Sequence, residues 1–327
     1  MRNTKLSNNF QSSSSVKKII LTSIIFAQML VDFSMLYSQN LIPKVSSGKI
    51  IRFNDFKSNF VAPRNIDVWI PADYSPKQKY AVLYMHDGQM LFDNKITWNK
   101  QAWNVDETAQ RLMDEGKTKK FIVVGIWNVD STRHKDYFPQ KPFESLRVSE
   151  QDTVSAQLRK AGRSVNKFQP KSDDYLRFIV AELKPFIEQN FSVKGDPSNN
   201  FIAGSSMGGL ISLYALCEYP EVFGGAACIS THWPGTFTLE NNPFPSEILR
   251  YINNKFPDPT SHKIYFDCGD QTLDALYPEI QKEVNVIFKK NGFNSDKNSS
   301  FLFFPGDDHS EASWEKRLHF SLEFLFN

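Results

Sequence analysis

The segment FIAGSSMGGL, residues 201–210, constrains the fold more than any other part of the chain. One apolar run ends at Gly204 and another begins near Met207, so a strand must become a helix within a few residues. The frame Gly204-Ser205-Ser206-Met207-Gly208 fits G-x-S-x-G. In that frame the middle serine stands on a strained strand-to-helix turn, with its hydroxyl held above the end of a sheet. This points to Ser206 as a nucleophile. A phosphate-binding loop is excluded, because no G-x-x-x-x-G-K frame and no Lys-Ser/Thr pair follows.

The rest of the chain supplies alternating strands and helices. GKIIRF and NIDVWIP read as two early strands, the second closed by Pro71. KYAVLYMHDG, KFIVVGIWN, FGGAACIS, HKIYFDCG and SSFLFFPG read as further strands. The unbroken apolar run of KFIVVGIWN suits a parallel strand covered on both faces. WNVDETAQRLMDEG has helical spacing and a glycine stop at Gly116. DDYLRFIVAELKPFIEQNF is an amphipathic helix, with Ser172 or Asp173 expected as its cap and a bend expected at Pro185. GLISLYALCEYP, DALYPEIQKEVNVIFKKNG and EASWEKRLHFSLEFLF read as the remaining helices. Strands alternating with helices predict an α/β fold with a mostly parallel central sheet and helices on both faces. Residues 131–172 interrupt the pattern with polar sequence and Pro139, Pro142 and Pro170. They read as a partly helical insertion over one end of the sheet.

The 327 residues are 41% hydrophobic and 23% charged, which suits a large globular core, and a net charge of +2 leaves no nucleic-acid footprint. Cys217, Cys228 and Cys268 form no C-x-x-C pair and lie in apolar runs, which argues against a zinc site and a disulfide framework. Residues 1–18 are polar and basic, and a largely apolar stretch follows them, interrupted by Asp32. With Ser38 beyond it, this reads as a secretory signal peptide over residues 1–38, with an uncleaved anchor as the alternative. The expectation is a secreted or periplasmic domain spanning residues 45–327, with no stable membrane association after cleavage.

A serine hydroxyl needs a base, the base needs an orienting acid, and the tetrahedral intermediate needs donors for its oxyanion. After a G-x-S-x-G turn the chain order is serine, acid, histidine, with the acid and the histidine each just past a strand. His309, after FLFFPGDD and before the last helix, alone satisfies both order and position. His319 lies within that helix, His262 precedes a strand and His134 lies in the insertion. His86 and His232 each follow a strand and are expected to line the site, with Asp87, Gly88 and Trp233 beside them. The acid should follow HKIYFDCG, where Asp274 is favoured over Asp270. The oxyanion donors are expected at the backbone N–H of Met207, after the nucleophile, and of Gln89, in the HDGQ turn after the early central strand. Asp307, Asp308 and His309 sit on one loop and do not make a metal set without distant partners, so neither metal nor organic cofactor is implied.

Taken together, YAVLYMHDGQMLFD, WNVDE, GIWN with Arg133 and DYFP after it, GSSMGGLISLYALCEYPEVFG, YFDCGDQTLDALY and PGDDHSEASWEKRL resemble the Putative esterase (esterase D-like) family of the α/β-hydrolases. The resemblance spans roughly residues 50–327. It implies an ester hydrolase using Ser206 and His309, with Asp274 as acid and the Gln89 and Met207 N–H groups as the oxyanion hole. Siderophore, feruloyl and acetylxylan esterases belong to this family, so the implied partner is a small-molecule or polysaccharide-linked ester. An acyltransferase using the same residues is the alternative, and a non-catalytic binding member of the fold is a lesser one. Where many relatives carry a Ser-Pro-Ser run, this chain has STHWPGTF, which leaves the substrate class open.

Overall fold

Among the described residues, eight strands, numbered along the chain, form one sheet in the order β1-β2-β4-β3-β5-β6-β7-β8. The computed structural model describes residues 41–295 and 297–327, and the segment read as a signal peptide lies outside them. β1 (Lys49–Phe56) and β2 (Arg64–Ile70) are antiparallel, and β2 joins β4 (Phe121–Ile126) antiparallel. From β4 onward every neighbour is parallel: β3 (Ala81–His86), β5 (Asn200–Ser205), β6 (Gly225–Ile229), β7 (Lys263–Cys268) and β8 (Ser299–Phe303). This is the α/β-hydrolase architecture, a mostly parallel sheet with helices on both faces.

The period-2 alternation of side chains sorts each strand between two cores. Val82, Tyr84, Ile122, Val124 and Ile126 face one core, while Ala81, Leu83, Met85, Phe121 and Val123 face the other. The second core is closed by α1 (Val105–Asp114) and the C-terminal α10 (Glu311–Phe326), through residues such as Leu112, Leu318 and Leu322. Gly116 follows α1 at φ +68, the left-handed position expected of a glycine stop.

The first core is covered by α7 (Met207–Glu218), which leaves the elbow, and by α8 (Phe244–Asn254) and α9 (Pro278–Lys290). Between β4 and β5 the polar stretch folds into α2 (Asp130–Tyr137), α3 (Gln140–Glu144) and α4 (Val148–Lys160). Their Phe138, Phe143, Val154 and Leu158 join this same core. α5 (Ser172–Phe178) starts one residue after Lys171, which takes the cap position expected at Ser172 or Asp173. Ser172 Oγ instead accepts from the Gln140 N–H at 2.9 Å. Pro185 has no N–H to return along the helix, and the chain runs as a π-helix over Ile179–Leu183 before α6 (Lys184–Asn190).

Candidate active site

β5 delivers Ser206 with φ 59 and ψ −124, a conformation that L-residues avoid. The turn is tight enough that a Cβ on Gly204 would lie 2.8 Å from the Gly208 carbonyl carbon, which explains the glycine at that end of the frame. The turn is pinned from both sides. Ser206 N–H donates to Ile229 O at 3.0 Å, and Ser206 O accepts from His232 N–H at 3.1 Å. α7 behind it is buried along nearly its whole length, and each fully buried Leu or Ile there contributes about 1.5–3 kcal/mol. The strained serine is therefore held by packing. Met207 opens that helix, where backbone N–H groups have no intrahelical partner and carry positive partial charge.

The β3 turn stands beside the elbow. Asp87 adopts φ 56 and ψ 46, then Gly88–Met90 makes a single 3-10 turn, with Met90 N–H donating to Asp87 O at 2.8 Å. A Cβ on Gly88 would lie 2.6 Å from Gly125 C in β4, so only glycine lets the turn sit this close to the sheet. Gln89 Oε1 accepts from the Asn128 N–H at 3.1 Å, which fixes the side chain of the residue whose N–H is the second expected donor. The Asp87 carboxylate is gripped by Arg133 Nε and Nη2 at 2.8 and 2.7 Å and by Asn128 Nδ2 at 2.6 Å. Burial acts to raise this carboxyl, but the arginine charge and these hydrogen bonds hold it below the usual carboxylate range.

Of the two candidate acids, the structure brings Asp274 to His309. Asp274 is fully buried on the 3-10 segment Thr272–Leu276, and its Oδ1 lies 2.5 Å from His309 Nδ1. The His309 N–H donates to Thr272 Oγ1 at 2.9 Å, and the Trp314 and Tyr277 rings stand edge-on to the imidazole at 4.9 and 5.8 Å. Asp270 lies at the surface, where its Oδ1 accepts from the Gly306 N–H at 2.8 Å, away from the imidazole. Asp307 turns to Arg317 and Asp308 to Ser310 and Ser313, so the three neighbouring residues of the β8 loop diverge.

His86 and Trp233, expected beside the site, are both buried. His86 is buried, with Nδ1 2.8 Å from the Tyr175 hydroxyl, and burial pushes it down to about 3, so it stays neutral. Trp233 is a core residue, donating from Nε1 to Gln281 Oε1 at 3.1 Å and packing on Phe266. His232 is also buried and is driven well below its ordinary value by that burial. Its Nδ1 lies 2.7 Å from the Tyr277 hydroxyl.

Three residues at the site have no counterpart in the sequence reading. Tyr277 reaches back three residues after Asp274, and its hydroxyl sits beside the Ser206 side chain as well as His232. Ser230, one residue past β6, donates from Oγ to Asp274 Oδ2 at 2.6 Å. Arg317, buried on α10, donates to that same Ser230 Oγ at 2.6 Å. Position offered a signal only for Ser230, which follows a parallel strand at its C-terminal end.

The chain is similar to known esterases along most of its length. It is 26% identical over 295 residues to an endo-1,4-beta-xylanase/feruloyl esterase of Xylanibacter ruminicola, covering 86% of this chain and 32% of that longer protein. It is 26% identical over 175 residues to the ferri-bacillibactin esterase of Bacillus subtilis, covering 52% of this chain and 54% of that one. Among solved structures, a ferulic acid esterase from Anaeromyces mucronatus superposes with a TM-score of 0.59 at 15% identity, over 88% of this chain and 93% of that one. Among the described residues no helix is long and apolar enough to cross a membrane. The pattern of the Putative esterase family matches residues 58–325, and the chain belongs to that family.

Proposed function

We propose that this protein is an exported serine esterase that hydrolyses carboxylic esters through an acyl-enzyme. The contact between His309 Nδ1 and Asp274 Oδ1 at 2.5 Å carries this reading. A carboxylate on Nδ1 keeps the proton there and leaves the Nε2 lone pair as the base. His309 takes the Ser206 proton as Oγ bonds to the ester carbonyl carbon, and the Gln89 and Met207 N–H groups receive the oxyanion. The imidazolium then protonates the leaving alcohol as the C–O bond breaks. Water, deprotonated by the same imidazole, releases the acid and restores Ser206.

The family and its relatives support feruloyl-type, acylated-polysaccharide or siderophore esters as the substrate class. The basic and then apolar N-terminal sequence supports export. The test is a paired assay of residues 39–327 and their Ser206→Ala variant on p-nitrophenyl acetate, methyl ferulate, acetylated xylan and a ferric trilactone siderophore. Turnover by the native protein, lost in the variant along with fluorophosphonate labelling, is the expected result. Equal turnover by both would remove Ser206 from the mechanism. Product analysis with added alcohols separates hydrolysis from acyl transfer.

A further inference from the structure

We infer that Ser230 and Arg317 are positioning residues for the catalytic pair: they occupy Asp274 Oδ2, leave Oδ1 to His309, and draw off part of the carboxylate's charge. This rests on the serine esterase reading above, in which Asp274 orients His309.

The two oxygens of Asp274 have separate partners. Among the described residues, Oδ1 meets His309 Nδ1 alone. Oδ2 accepts from Ser230 Oγ at 2.6 Å and from the Gly269 N–H at 2.7 Å, with Arg317 Nη2 behind at 3.7 Å. A carboxylate held this way cannot rotate, so the imidazole plane it fixes cannot rotate either. Ser230 Oγ is the hub of the arrangement. It accepts from Arg317 Nη2 at 2.6 Å and from Trp314 Nε1 at 3.1 Å, which commits its own proton to Asp274. Trp314 also packs edge-on against His309, so one short stretch of α10 supports both members of the pair.

The backbone gives a second, independent reason. Ser230 has φ 40, in the left-handed region where glycine is at ease and a Cβ is not. A serine held there carries a backbone cost that a glycine would avoid, which fits a hydroxyl with a role.

The charges around the pair are few and identifiable. Arg317, 2% exposed, faces Asp267 on β7 at 3.2 Å and Asp307 of the β8 loop at 2.9 Å, besides Asp274. Burial pushes the Asp267 carboxyl up to about 6 against the pull of Arg317, and Tyr265 donates to it at 2.8 Å. His232 on the β6 loop and Tyr277, just past the 3-10 segment, stand near His309, both buried and neutral. Among the described residues, Arg317 is the arginine or lysine that pairs with the Asp274 carboxylate. A donor removed from Oδ2 leaves more negative charge facing the imidazolium, which then keeps its proton to higher pH.

The experiment measures kcat/KM against pH for the native protein, Ser230→Ala and Ser230→Gly. It is paired with the low-field proton NMR signal of His309 Nδ1–H, which reads the imidazole without substrate and apart from Asp267. Both variants lose the hydroxyl, but only the glycine relaxes φ. The expected result is an acid limb and an NMR midpoint displaced upward by about half to one pH unit in both variants. The plateau kcat falls about tenfold and KM stays within about twofold. A lower melting temperature with limb and midpoint unmoved would overturn the inference and leave Ser230 as packing alone. A native protein without Ser206-dependent turnover refutes the esterase reading, and the NMR midpoint still decides the role of Ser230.

Discussion

Replacing Gly88 by alanine tests the oxyanion loop with one methyl group. The added Cβ would lie 2.6 Å from Gly125 C, 2.8 Å from Gly125 O and 2.8 Å from Trp127 Cδ1, where ordinary contact begins at 3.4 Å. Gly125 is paired on both sides, with Met85 on β3 and Asp67 on β2, so the sheet cannot give way. The Asp87–Met90 turn must retreat instead, and the gap between 2.6 and 3.4 Å sets that movement at about 0.8 Å. An oxyanion contact of about 2.9 Å to the Gln89 N–H would stretch to about 3.7 Å, beyond hydrogen-bond range. Loss of one such donor lowers kcat about 10²–10³-fold, or roughly 3–4 kcal/mol of transition-state stabilisation. Overpacking costs a further ~1–3 kcal/mol of stability, which heat denaturation reads separately. The assay is kcat and KM on p-nitrophenyl acetate, with fluorophosphonate labelling as a check that Ser206 remains in place. A folded Gly88→Ala protein with native kcat would refute the assignment of the Gln89 N–H to the oxyanion.

Four other substitutions separate neighbouring roles. Asp274→Asn should lower kcat by about 10⁴ through the wrong His309 tautomer, while Asp270→Asn at the surface should stay within about 0.5 kcal/mol of native stability and keep its activity. Steady-state kinetics on the pair decides between the two acids. Tyr277→Phe keeps the ring beside His309 but strips a hydroxyl from Ser206 and from the buried His232 Nδ1. It should cost about 1–3 kcal/mol in denaturant unfolding and lower kcat more than it changes KM. Arg133→Met removes the guanidinium that holds Asp87 ionised, and the loss at neutral pH should be about 2–3 kcal/mol. The Asp87 carboxyl is depressed in the native protein, so its contribution is full above the ordinary carboxylate range and fades as pH falls through the folded value. The stability gap between native and Arg133→Met should therefore narrow as pH drops below about 4, as thermal unfolding at several pH values would record.

What the sequence makes legible is what a strand end dictates. Ser206, Asp274 and His309 each follow a strand and precede a helix, and those boundaries are visible as apolar runs stopped by Gly or Pro. The turns around Gly88 and Gly116 are legible for the same reason, since glycine marks them directly. Side chains that reach the site from elsewhere are hidden. Arg317 lies 87 residues from the Ser230 hydroxyl it bonds, in the middle of a helix whose periodicity only says that it faces inward. Tyr277 is hidden as well: it is fully buried, and its position in the sequence does not separate it from the core aromatics. The insertion is obscured by its prolines, which break the period between short helices. Its Phe138, Phe143 and Phe168 nonetheless pack on one another as fully as any core residue. Depth is hidden too: His86, His232 and Trp233 are all buried, because a residue at or just past a strand end can turn inward as readily as out.

Strain and function coincide at the C-terminal ends of the central strands. β3, β5 and β6 are adjacent, and the first residue past each is a non-glycine at positive φ: Asp87 at 56, Ser206 at 59 and Ser230 at 40. Each such residue costs about 1–2 kcal/mol relative to an unstrained turn, and together they face the place where the chemistry is proposed. Packing cannot explain three in a row, because glycine would fill the same turns at lower cost. The side chains explain them: a carboxylate clamped by Arg133, a nucleophile, and a hydroxyl that locks the acid. The comparison of Ser230→Gly with Ser230→Ala isolates this. Both lose the hydroxyl and strand the same buried donors of Arg317 and Trp314, so their difference reports backbone strain, less the greater unfolded-state freedom of glycine. Ser230→Gly should be the more stable by about 0.5–1 kcal/mol in denaturant unfolding while matching Ser230→Ala in its catalytic defect. If the alanine variant proves the more stable, the backbone at 230 stores no strain, and the case for the hydroxyl rests on its hydrogen bonds alone.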